Sequence, residues 1–440
     1  MTAGCLRIDA TSTASYLHRS WEATYARSPP PRARVEQMAI VQRIRTLRPP
    51  PERVAEIQCP PYDVISTNEA RALAVGRDAS FLRVIRPEIQ FAPDVDEHSD
   101  EVYAAGRDAL LQMIRDGGLQ HAPDALYVYT AHFRGRTQTG VFGGVSVDAY
   151  DAEEIVRHEN TRVDKEDDRT RHILTQGAHA EPVMLAYRDV AAIDALVADA
   201  TRLPPIFDFR DDADVRHQLW VAPDPDALER AFEAVPKLYV ADGHHRCKAA
   251  SRAAAALHGA DANTAARARR FPAVVIPIGQ MQIMPYHRLV ADAPANIIER
   301  LRASMHIAPG APTPPGAGHV SMFHDGAWYD VALPPSDRQG RAAQLDVARL
   351  SEHILEPMLG INDPRTDPRI SFVGGIRGTE PLVQAVESGD ARLAFSMWPT
   401  SMHELLEVSD AGELMPPKST WFEPKLASGM LVHPFDPALG

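Results

Sequence analysis

"LYVADGHHRCKAASRAAAALHG", residues Leu238–Gly259, is the stretch on which the fold class turns. An apolar strand-like run ends in Asp242-Gly243, and an alanine-rich helical pattern begins at once. The first turn of a helix has unpaired N–H groups and about half a unit of positive charge. Gly243 lets the backbone approach a ligand closely. His244, His245 and Arg246 add side-chain donors at the same place, a combination that suits an anion, most simply phosphate. Asp242 would orient a histidine or hold a magnesium ion. A turn whose histidines merely cap the structure is the plainer alternative, but Asp-Gly-His-His-Arg together favours a function.

Outward from this stretch, strands and helices alternate along the whole chain, so the class is α/β or α+β with mixed sheets. "MAIVQRIRTLRP" opens with a short strand, and "CPPYDVIS" is a proline-fixed loop entering a helix capped by Ser66 with Glu69. "SFLRVIRPE" reads as a strand and residues 96–117 as an amphipathic helix. "ALYVYTAHF" and "TGVFGGVSV" read as an antiparallel pair. Helices are expected near 189–201 and 225–234, and strands at "FPAVVIPIG" and "MQIMPYHRLV". After about residue 293 the pattern restarts, with helices at 295–306, 344–359 and 401–411 and a hairpin at Asp325-Gly326. The organisation expected is an extension over 1–37, a core over 38–293 and a C-terminal α/β region over 294–440 that completes the same unit. The extension lacks an apolar signal segment and carries "SPPPRAR", which reads as disorder or an overlong start before Met38.

Three further clusters carry chemistry-bearing residues. In "RHENTRVDKEDDRTRHI", Glu159 follows His158, and Lys165 and Arg169 lie on one helical face. A carboxylate beside cations can act as a general base while the cations bind phosphate, although such charge runs are as often a solvated face. In "IMPYHRLV", His287 and Arg288 interrupt an apolar strand, where buried charge needs a partner. In "MPPKSTWFEPKLASG", Lys418 follows a double proline that would make a rigid anion-binding turn, without the glycines of a Walker loop. A packed C-terminal strap is the competing reading there.

Composition narrows the classes. The 440 residues are 45% hydrophobic and 24% charged with a net charge of −13, which suits a soluble globular protein and disfavours general nucleic-acid binding. Three scattered cysteines suit a reducing cytoplasm. No apolar run is long enough to span a membrane. No histidine spacing points to zinc, and no dinucleotide or hydrolase motif appears.

The pieces "CPPYDVIS", "FLRVIRPE", "RHENT…K…DR", "YVADGHHR", "MPYHRLV" and "MPPKSTWFEPKLASG", in this order, resemble the family called domain of unknown function 1015, over about Ile40 to His433. Cys247 stands where that pattern has an aromatic. More distantly, a Glu followed by "DGHHR" is similar to the ParB/sulfiredoxin superfamily. There a strand–turn–helix cradles phosphates, and some members are kinases of free L-serine. That resemblance implies Glu159 as the essential carboxylate, with Asp242, Gly243, His244, His245 and Arg246 in the phosphate turn. The kinase reading takes ATP or ADP with Mg2+ as cofactors, gives His245 and Asp242 catalytic roles beside Glu159, and adds Lys165, Arg169, His287, Arg288 and Lys418 from the clusters above as further phosphate-binding candidates. The expected partner is a small-molecule substrate, and a homodimer stays open. A sulfiredoxin activity is set aside because its cysteine is replaced by His244. A nucleotide-binding regulator and a phosphohydrolase are the alternatives to the kinase.

Overall fold

The computed structural model describes residues 40–440, so the expectation for residues 1–37 lies outside the described residues. The mixed α/β class is present. A nine-stranded sheet has the spatial order Ile155–Val156, Leu238–Asp242, Val183–Tyr187, Arg270–Pro277, Arg136–Ser146, Tyr127–Phe133, Arg216–Val221, Phe207–Arg210, with Val41–Gln42 also paired to Arg136–Ser146. A six-stranded antiparallel sheet runs Ile307–Pro309, Ala327–Ala332, His319–His324, Leu393–Met397, Tyr286–Val290, Ile370–Gly374. One apolar core is shared by the two sheets: Tyr127, Met184 and Val274 of the first belong to the same buried cluster as Val320, Leu393 and Phe395 of the second.

Two pairings in the large sheet set the functional geometry. Leu238–Asp242 is antiparallel to Val183–Tyr187 on one side and parallel to the edge strand Ile155–Val156 on the other, in register Leu238 with Ile155. Val183–Tyr187 is buried throughout, as a strand covered on both faces must be. The helix His244–Ala256 then packs on the helix Val163–Gln176. Its buried Ala249 and Ala253 pack with Ile173 of that helix, while Ala250 and Ala254 pack with the large sheet.

Two local expectations are corrected. "SFLRVIRPE" is helical, not extended: Leu82–Ile85 is a helical turn followed by the 3-10 turn Pro87–Gln90. Its apolar run buries Leu82, Val84 and Ile85 against the helix Asp100–Arg115, and a short apolar run does not by itself distinguish a buried helix from a strand. The helix expected over 344–359 is segmented into Asp346–Leu350, a widened π turn at Ser351–Leu355 and Glu356–Leu359. Pro357 has no N–H for the regular i−4 bond, which disrupts the ladder there. Elsewhere the expected elements form. The Ser66 cap is a full capping box, with Glu69 N–H donating to Ser66 Oγ and Ser66 N–H donating to Glu69 Oε2.

Candidate functional site

The parallel edge pairing brings two distant sequence motifs together. Two residues beyond Ile155–Val156, His158 and Glu159 leave the sheet at the same end as Asp242, Gly243 and His244. The His158 and His244 rings meet edge to face, centroids 4.4 Å apart. Ligand atoms of His158, Glu159 and His244 lie within 4.8 Å of one another. Gly243 has φ +102°, and a Cβ there would sit 2.9 Å from Val183 Cγ1 and 3.2 Å from Arg246 Nε. Only glycine meets both demands. The first intrahelical bond is donated by Cys247 N–H to Gly243 O. The amides of His244, His245 and Arg246 therefore precede the helical ladder.

Under this turn lies an ion network. Asp242 Oδ1 accepts from Lys425 Nζ at 2.7 Å, and its Oδ2 accepts from Arg246 Nη2 at 2.8 Å. Arg246 also donates to Pro182 O and lies 3.8 Å from Asp63. Arg169 binds Asp168 at 2.7 Å, approaches Glu181 at 3.9 Å and stacks over the Tyr62 ring at 4.0 Å. Burial opposes the charge on Asp242, but Lys425 and Arg246 outweigh it and hold the carboxyl well below its ordinary range. Asp242 therefore reads as the anchor of two cations rather than a magnesium ligand, because both its oxygens already face cations. Arg246 and Arg169 are likewise engaged with carboxylates.

The C-terminal strap closes the other side. Met415 N–H donates to His158 O at 2.7 Å, and Thr420 Oγ1 lies 3.3 Å from His158 Nε2. Strand Trp421–Glu423 pairs with Gln282–Met284, which leads the chain to Lys425 and Asp242. Lys418 is exposed, at φ +59°, with its ammonium 5.3 Å from the Tyr286 ring. Its carbonyl accepts from Arg288 Nη2 at 3.0 Å. Arg288 is 3% exposed, and among the described residues no carboxylate pairs with it. Burial pushes its guanidinium down to about 10. His287 accepts from Met397 N–H at 3.1 Å and ties two strands together. Lys165 is exposed on its helix and makes no hydrogen bond or ion pair with the cluster among the described residues.

Glu159 is the carboxylate of this cluster that lacks a partner among the described residues. It is half-buried and makes no hydrogen bond or ion pair with the described residues. Burial raises its pKa, Lys418 opposes that rise, and the Asp242 charge adds to it. Burial holds His158 down at about 4 and His244 well below the usual imidazole value, so both are neutral near pH 7. Burial also lowers His245, whose Nε2 accepts from Arg162 N–H at 3.1 Å. Sequence reasoning passed over Asp63, Glu181 and Lys425. Asp63 and Lys425 sit inside the stretches "CPPYDVIS" and "EPKLASG" that carry the family resemblance, and that membership was the available signal. Glu181 had none. The absence of zinc spacing also concealed the His158–Glu159–His244 triad, whose members come from segments more than eighty residues apart in sequence.

The family model described as protein of unknown function (DUF1015) matches residues 41–348. The strap that carries Lys418 and Lys425 lies beyond that span. No curated protein matches the chain. Among solved structures, a free serine kinase in complex with AMP is 13% identical, over 64% of this chain and 86% of that one, with a TM-score of 0.35. SbnI with a C-terminal truncation from Staphylococcus aureus is 14% identical, over 65% and 84%, with a TM-score of 0.35. A conserved hypothetical protein from Pyrococcus furiosus is 16% identical, over 64% and 90%, with a TM-score of 0.31.

Proposed function

The chain belongs to the DUF1015 family, and from that premise we propose that it is a nucleotide-dependent small-molecule kinase that transfers a phosphoryl group to a hydroxyl acceptor. The observation that carries this reading is the unpartnered Glu159 carboxylate, set beside the N-terminus of the helix His244–Ala256 and facing Lys418. Phosphoryl transfer asks a protein mainly for positioning and charge stabilisation. Glu159 accepts the acceptor's hydroxyl proton as its oxygen bonds to the terminal phosphorus. The bond from that phosphorus to the bridging oxygen breaks, and the departing nucleotide keeps the electron pair. Its raised pKa brings Glu159 nearer the working pH of a general base.

Lys418, which faces Glu159, and Arg288, which pairs with no carboxylate among the described residues, supply the charge that the transferring group needs. The amides of His244, His245 and Arg246, which precede the helical ladder, supply further donors. The Asp242–Arg246–Lys425 network positions that turn instead of touching the phosphates. ATP and ADP are the nucleotides to test, with magnesium, and the motif resemblance makes free L-serine the first acceptor to try.

The test is product analysis by mass spectrometry with purified full-length chain, nucleotide, magnesium and a panel of hydroxyl metabolites. Glu159→Gln should lose product by about a hundredfold or more while nucleotide affinity stays within a few-fold. Binding with no product in either protein would favour a regulator. Phosphate released to water without an acceptor would favour a hydrolase.

A further inference from the structure

We propose that His158, Glu159 and His244 form a binding site for one divalent transition-metal ion of the zinc class, and that its occupancy takes Glu159 out of proton transfer. The inhibitory half rests on the kinase reading above; the metal site does not. Ligand atoms of the three side chains lie within 4.8 Å of one another. Donors 2.0–2.2 Å from a tetrahedral ion stand roughly 3.4 Å apart, so small side-chain rotations complete the set.

A second observation points the same way. His244 Nε2 is buried without a hydrogen-bond partner, in a side chain only 8% exposed, while the His158 ring beside it, 1% exposed, is held by Thr420 and the Val240 backbone. A buried imidazole nitrogen without a partner is costly unless something else takes its lone pair or proton. Their rings meet edge to face at 4.4 Å. The half-buried Glu159 leaves a path of entry from solvent.

The donor types choose the metal. Two imidazoles and one carboxylate suit zinc, cobalt or iron(II), whereas magnesium asks for an octahedron of oxygens. The set leaves at least one coordination position open, as in catalytic zinc sites. A carboxylate bound to the ion no longer has its lone pair free for a hydroxyl proton. The ion would thus switch the proposed transfer off at the base itself, without touching the cations Lys418 and Arg288.

Full-length chain stripped by chelator is titrated with zinc chloride by calorimetry and with cobalt(II) by visible absorption. One ion per chain is expected, undisturbed by excess magnesium. Glu159→Gln, His158→Gln and His244→Asn should each weaken binding by more than the 10–100-fold typical of changes in outer-shell partners. His403→Asn, at an exposed histidine, should bind like the parent. Phosphoryl transfer should fall as zinc fills the site and return on chelation.

No binding by the stripped parent would overturn the proposal, as would undiminished binding in the triad variants or transfer unaffected at full zinc occupancy. Glu159→Gln keeps side-chain shape and decides the matter if the histidine variants do not fold. If the metal-free chain makes no product, the kinase reading falls, and stoichiometric binding lost in Glu159→Gln still upholds the site.

Discussion

Replacing Asp242 by asparagine should destabilise the protein by about 2–3 kcal/mol, and the loss should be coupled to Lys425. The substitution keeps the shape of the side chain and removes one charge from between two cations. Lys425 is 15% exposed at its side chain, Arg246 is 8% and Asp242 is 22%. Hydrogen bonds to charged groups contribute about 1.5–3 kcal/mol each, and removing one partner of a buried pair costs about 3–5 kcal/mol. The expected loss sits below that range because Arg246 keeps Pro182 O and the nearby Asp63. Lys425 loses the carboxylate it donates to and bears most of the effect. Urea unfolding at pH 7.5 measures it, provided the slope matches the parent. The cycle with Lys425→Met then isolates the pair, with an expected coupling of about 1–2 kcal/mol. A loss under about 0.5 kcal/mol, or simple additivity in the cycle, would refute the claim that Asp242 anchors the turn electrostatically.

Gly243→Ala should cost about 2–4 kcal/mol, from the left-handed backbone at φ +102° and the 2.9 Å approach to Val183; urea unfolding reads it directly, and a near-neutral result would remove the steric argument. Arg288→Met should leave stability unchanged or raise it, since the guanidinium is buried without a carboxylate, yet weaken nucleotide or phosphate binding at least tenfold by calorimetry; a destabilised variant with normal binding would make Arg288 structural. Stability should also fall on acidification through the imidazoles. His158 is lowered from 6.5 to about 4, so between those values the unfolded chain binds the extra proton. Its contribution is therefore fully present above about pH 6.5, declines as pH falls and is exhausted below about 4. The total is about 3 kcal/mol. Unfolding free energies from pH 7 to 4 in the parent and in His158→Gln should differ in slope by close to one proton, and equal slopes would contradict the burial argument.

Glycine at 243, the strand before it and the helix after it were legible from residues 238–259 alone, because backbone conformation and hydrophobic period are local properties. The same holds for the Ser66 capping box and the hairpin at Asp325-Gly326. The choice of Glu159 rested on a carboxylate beside cations and on family resemblance, and the geometry leaves it the unpartnered acid. Local pattern did not distinguish helix from strand at Leu82–Ile85, where a four-residue apolar run is decided by the helix it packs against.

What only the tertiary structure decided is which charges face each other. Arg246 and Arg288 look alike in sequence, each following a histidine near a turn. One is neutralised by Asp242, Asp63 and Glu181, while the other is buried against carbonyls. Lys165 and Lys425 likewise exchange importance: the first is solvated, and the second reaches 183 residues back to Asp242. Local periodicity depends on neighbours a few residues away. Electrostatic pairing depends on distance in space, which here is set by a parallel edge strand and a C-terminal strap that no short window of sequence contains.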